Sequence, residues 1–155
     1  MYTKVLVPLD GSELAACALE HVKKVASADG ISEVILLRVV EPIASAETIA
    51  WSQGGYTVKD LENMNLKRAQ EYLSLAAETL RNQGISARTE VIYGFPAESI
   101  LGYAERNKVD LIIISTHGRS GISRWAFGNV ANKIASNSQI PLLLVTPRDC
   151  RSSRP

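Results

Sequence analysis

Few local patterns restrict a fold as tightly as an apolar run too short for a helix that ends on glycines. Here Val109, Asp110, Leu111, Ile112, Ile113 and Ile114 pass into Ser115, Thr116, His117, Gly118, Arg119, Ser120 and Gly121. Interrupted only by Asp110, the run has the character of a strand covered on both faces of a parallel sheet. Such a strand ends at the carboxyl edge of the sheet, where open α/β sheets bind their ligands. Further on, Gly128 and Asn129 precede Val130 to Ala135, which reads as a helix with Asn129 as its cap. Glycines let backbone amides approach a ligand closely. The free N–H groups and positive dipole end of a helix start favour an anion, most simply a phosphate. The stretch is therefore a candidate phosphate cradle built from two separated pieces. It is not a Walker loop, which ends in Gly-Lys-Ser/Thr, nor does it carry GxGxxG. Taken alone, its glycines fit a phosphate site and a plain tight turn about equally well.

The rest of the chain supplies the sheet around that strand. Lys4 to Asp10 is a short apolar strand stopped near Pro8, and Ser12 is placed to cap a helix in which Leu14, Cys17, Ala18, His21, Val22 and Val25 recur at helical spacing. His21 lies on or beside that apolar stripe and is expected to be structural. Asp10, at the carboxyl end of the strand, suits either a ligand's hydrogen-bond donors or a turn. Residues 33–40 form the next buried strand. From 41 to 57 the periodicity fails, and a long irregular connection carrying Trp51 follows. Residues 58–82 are a long amphipathic helix, with Leu61, Met64, Leu66, Ala69, Tyr72, Leu73, Ala76, Ala77 and Leu80 inward. Residues 87–93 alternate in character, as in a strand nearer a sheet edge, and Gly94 makes the turn into a helix opened by Pro96. Residues 141–147 give a last short strand, too apolar to stand as an uncovered edge. The elements alternate β-α-β-α-β-α-β-α-β, which implies a parallel, doubly wound sheet with right-handed crossovers.

Composition excludes other classes. The 155 residues suit one domain, expected over 1–147, with 148–155 as a disordered basic tail. A formal charge of +1 argues against a nucleic-acid surface, and no run approaches the length needed to span a bilayer. The start of the chain enters a strand without a signal-peptide pattern, so the cytoplasm is the expected compartment. Cys17 and Cys150 show neither CxxC nor metal-ligand spacing. Cys17 reads as part of the first helix's core face and Cys150 as a tail thiol with no assigned role.

At this point the residues resemble a known family. Val7-Pro8-Leu9-Asp10-Gly11-Ser12, the segment Ser115 to Gly121, Gly128-Asn129-Val130 and the ending Pro141-Leu142-Leu143-Leu144-Val145 look like the universal stress proteins, in order, over residues 3–147. The resemblance implies a single Rossmann-like five-stranded parallel sheet of order 3-2-1-4-5 with helices on both faces. It also implies a homodimer through the last strand, Leu142, Leu143, Leu144 and Val145, which would cover that apolar edge. The family's ATP-binding branch carries a glycine, two residues, a second glycine, nine residues, a third glycine and a hydroxyl residue. Gly118 and Gly128 match the second and third, with nine residues between them. Ser115 stands in place of the first glycine, adding a β-carbon, and Asn129 in place of the hydroxyl residue. Asn129 retains an amide donor.

By this similarity, ATP or a related adenine nucleotide (AMP or ADP) is the expected ligand. Pro8, Leu9, Asp10 and Val39 would line the adenosine pocket. Ser115, His117, Gly118, Arg119, Gly121, Gly128, Asn129 and Val130 would surround the ribose and phosphates, with Arg119 and Arg124 as possible extra charge. A magnesium ion would be held mainly through the phosphates and water. Neither Asp10 nor His117 has an evident orienting partner in sequence, so binding is expected rather than catalysis. The alternatives are a slow ATPase or nucleotidyl transferase, and a dimeric adaptor that binds no nucleotide.

Overall fold

The computed structural model describes residues 1–43, 54–116 and 129–146. Strands and helices alternate along it: β1 (Lys4–Pro8), α1 (Glu13–Asp29), β2 (Glu33–Val40), α2 (Val58–Arg81), β3 (Ala87–Tyr93), α3 (Pro96–Arg106), β4 (Leu111–Ser115), α4 (Asn129–Asn137) and β5 (Leu142–Val145). The strands form one sheet of order β3-β2-β1-β4-β5, with every pairing parallel. The topology expected from the alternation and the resemblance is therefore the one observed.

Strand side chains alternate between faces, so central strands covered on both sides are apolar at every position. Val5 and Val7 of β1, Val34 and Leu36 of β2, and Leu111 and Ile113 of β4 pack on one face with Ala18 and Val22 of α1 and Leu73, Ala77 and Leu80 of α2. Leu6, Ile35, Leu37, Ile112 and Ile114 point the other way, against Ile100 and Ala104 of α3 and Ala131 and Ile134 of α4. Two helices thus cover each face. His21 is half-buried on α1, as its place beside the apolar stripe suggested.

Local chemistry explains the element ends. Ser12 Oγ accepts from the Ala15 amide at 3.1 Å and caps α1. Thr57 and Asp60 form a reciprocal capping box at α2: Thr57 Oγ1 accepts from Asp60 N, and an Asp60 carboxylate oxygen accepts from Thr57 N at 2.9 Å. The strand expected from residue 109 starts at Leu111, because the Val109 amide still donates back to Ala104 O at 2.9 Å, and next to it stands the Asp110 carboxylate. It accepts from Thr3 N at 2.8 Å, Thr3 Oγ1 at 2.7 Å and Lys4 N at 3.0 Å, stapling the start of β1 to that of β4.

Two expectations are refined in detail. Gly94 does more than make a turn: its φ is 152°, and a β-carbon there would collide with Ser99 Oγ, so glycine also admits the first turn of α3. Cys17, half-buried against the core, is in addition disulfide-bonded, and Cys150 lies outside the described residues. Helix α4 is described from Asn129 onward, and residue 128, against which a capping role for Asn129 would be read, lies outside the described residues. Trp51 and the tail 148–155 also lie outside the described residues.

Candidate functional site

In this strand order the chain reverses direction across the sheet between β1 and β4. Helix α1, which follows β1, packs on one face, and α4, which follows β4, packs on the other. A crevice opens between such diverging connections at the carboxyl ends of the strands, and it is the usual ligand seat of doubly wound sheets. A cavity of about 190 Å³ occupies it. Pro8, Leu9 and Asp10 enter it from the end of β1, Val39 from β2, Ser115 from β4, and Asn129 and Val130 from the start of α4.

Seven of the twelve residues singled out in the sequence therefore share one cavity: Pro8, Leu9, Asp10, Val39, Ser115, Asn129 and Val130. The other five, His117, Gly118, Arg119, Gly121 and Gly128, lie outside the described residues, as does Arg124. The sequence reading missed Ala15, Leu37, Pro96, Ile100, Ile114 and Ala131, which also line the cavity. They are apolar, and their spacing marks them only as core. The signal that reaches them is register: Pro8 lies opposite Leu37, so both strands end on the same rim.

The lining is mostly hydrocarbon, and its polar side chains are Asp10, Ser115 and Asn129. Asp10 Oδ1 accepts from Ser12 N at 2.9 Å, an Asx turn that fixes the carboxylate at the mouth of the cavity. Both readings of Asp10, turn former and cavity acceptor, thus apply to the same side chain. Gly11 follows with φ of 85°, a left-handed conformation that turns the chain from β1 toward α1. Leu9 N donates to Leu37 O at 2.9 Å and ties the rim of β1 to β2. On the opposite side, the first amides of α4 lack intrahelical partners by position, and the helix dipole adds partial positive charge there.

The arrangement offers apolar walls, a carboxylate beside them, and the start of a helix at one end. A planar heterocycle fits the walls, hydroxyl groups fit the carboxylate, and an anion fits the helix start. At about 190 Å³ the described cavity is smaller than the roughly 300–1,000 Å³ of pockets that engulf whole ligands. It therefore suits one end of a ligand, with the remainder lying along the rim. Among the described residues no cluster of His, Cys, Asp or Glu has the makings of a metal site. Among the same described residues no helix is long and apolar enough to cross a membrane.

Comparison with known proteins places this geometry. The model of the universal stress protein family matches residues 1–146. Universal stress protein MJ0577 of Methanocaldococcus jannaschii is 30% identical over 155 residues, covering 94% of this chain and 95% of that protein. Its solved structure superposes with a TM-score of 0.76 over 94% of this chain and 96% of that one. Two more distant structures share the fold. A universal stress protein in complex with cAMP has a TM-score of 0.66 and 20% identity over 94% of this chain and 97% of its own. One from Archaeoglobus fulgidus in complex with dAMP has a TM-score of 0.65 and 19% identity, over 92% and 97%. With its motif order, its 3-2-1-4-5 sheet and a match running nearly end to end, the chain belongs to the universal stress protein family.

Proposed function

We propose that the protein binds ATP, or a related adenine nucleotide such as ADP or AMP, in the crevice between β1 and β4, and that occupancy switches a stress-related or regulatory output in the cytoplasm. The observation that carries this reading is the convergence of Asp10, Val39, Ser115 and the start of α4 on one cavity. The base would lie between the Val39, Pro96 and Ile100 side chains, with strand-end backbone groups reading its edge. Asp10 would accept from ribose hydroxyls, and the Asn129 and Val130 amides would meet phosphate. His117, Gly118, Arg119, Gly121 and Gly128 complete the proposed phosphate side. The two family members solved with cAMP and dAMP support an adenine-bearing ligand. A magnesium ion would ride on the phosphates and water, since among the described residues no cluster of His, Cys, Asp or Glu is placed to hold one.

The proposed assembly is a homodimer joined through β5. Leu142, Leu143 and Leu144 are half-buried on an edge strand, which leaves both apolar surface and backbone pairing capacity for a second copy.

Titration calorimetry with ATP, ADP and AMP tests the binding reading. Saturable heat with one nucleotide per chain is expected. No heat with any of the three at millimolar concentration would remove it.

A further inference from the structure

A second cavity, of about 620 Å³, lies back to back with the first, and the two share Asp10, Val39 and Pro96. Its character is different. Arg38 enters from β2, while Asn65, Arg68 and Tyr72 enter from the first half of α2. Those helix positions are three and four residues apart and so lie along one face. Farther along α2 the inward face is made of Leu73, Ala77 and Leu80 and belongs to the core. At the carboxyl edge of the sheet the same helix presents an amide and a guanidinium instead.

Two further observations mark this polarity as a site. The Tyr72 hydroxyl is buried and has no hydrogen-bond partner among the described residues. Leaving such a group unpaired is costly, so a native fold normally supplies a partner. Burial first, and then the charge of Asp10, raise its pKa against the opposing pull of Arg38, so the hydroxyl keeps its proton and can donate. Arg38 is held in place, its Nη1 directed at Leu9 O at 3.4 Å. Guanidinium groups pair best with carboxylates and phosphates. Asp10 and Glu41 line the same cleft, so a bare anion meets repulsion that a ligand also carrying hydroxyl donors would turn into hydrogen bonds.

We propose that this cleft is a second ligand site for a small polyhydroxylated anion, a sugar phosphate or a sugar acid, whose oxyanion sits between Arg38 and Arg68 with Tyr72 and Asn65 donating and whose hydroxyls reach Asp10. The inference does not need the nucleotide reading, because neither arginine nor Tyr72 lines the first cavity, and the two readings meet at Asp10.

The test is amide NMR of the full chain in phosphate-free buffer, titrated separately with glucose 6-phosphate and with gluconate. Saturable shifts at Gly11, Asn65 and Ala69 are expected with at least one probe, and which probe acts decides between phosphate and carboxylate. Arg68 is exposed on α2, so Arg68→Gln leaves the core intact and should weaken the response about 10-fold or more. Tyr72→Phe should weaken it less. The proposal is overturned if neither probe shifts these amides at millimolar concentration, or if Arg68→Gln responds like the parent. It is equally overturned if shifts occur only at Asn129 and Val130, which would put the anion in the first cavity. Shifts at Gly11, Asn65 and Ala69 in a protein that binds no ATP would leave this site standing and remove only the nucleotide reading.

Discussion

Single residues with two duties hold the site and the fold together. Asp10 positions the β1 to α1 turn through Ser12 N and lines both cavities. Asp10→Ala is therefore expected to weaken ATP about 10-fold while costing modest stability, as calorimetry and thermal melting would read separately. Asp110 is a purely structural counterpart. Burial works to raise its pKa, but hydrogen bonds from Thr3 and Lys4 outweigh that and hold the carboxyl below its ordinary value of 3.8. A depressed folded pKa contributes stability above the unfolded value, and that contribution fades as pH falls through the folded one. Asp110→Asn should cost about 1–3 kcal/mol near neutrality, and the deficit should shrink below about pH 4 in denaturant titrations. An equal deficit at both pH values would contradict this. Gly94 combines an uncommon φ with contact to Ser99, so Gly94→Ala should cost about 1–3 kcal/mol. Adding Ser99→Ala should recover part of that loss, because only the collision is relieved.

At the scale of elements, much of the molecule was legible because local chemistry and tertiary packing agree. The strands at 33–40 and 87–93 fall where periodicity put them, and Ser12 caps α1 as its position indicated. The Thr57–Asp60 capping box went unnoticed although both residues stand in plain view, since it follows a stretch without periodicity. The Thr57 hydroxyl and amide lower the pKa of Asp60 and fix the first turn of α2. Thr57→Ala is expected to destabilise the protein by about 1 kcal/mol, measured by urea unfolding with an unchanged slope. Asp110 looked like a flaw in an apolar strand because its partners, Thr3 and Lys4, are more than a hundred residues away in sequence. The candidate site was legible where motifs carry it, at Asp10, Ser115 and Asn129. It was illegible where hydrophobic residues do double duty, as Leu37, Ile100 and Ala131 do, lining the cavity and packing the core at once.

For the whole molecule, the two edges of the sheet are treated differently. On β3, Arg88 pairs with Glu33 at 2.8 Å and Glu90 at 2.9 Å, a charged border that discourages further strand pairing. On β5, leucines occupy the corresponding edge, and dimerisation there is the proposed consequence. Leu143→Lys should shift the protein to monomer in sedimentation velocity, and an unchanged sedimentation coefficient would count against a β5 interface. Between those edges, the crevice at β1 and β4 is lined by strand-end residues on one side and by the start of α4 on the other, and the nucleotide reading depends on their acting together. Amide NMR during titration with ATP tests that most directly. Saturable shifts are expected at Val39, Ser115, Asn129 and Val130 together, all following one binding constant. Binding of ATP that leaves Asn129 and Val130 unmoved would contradict it.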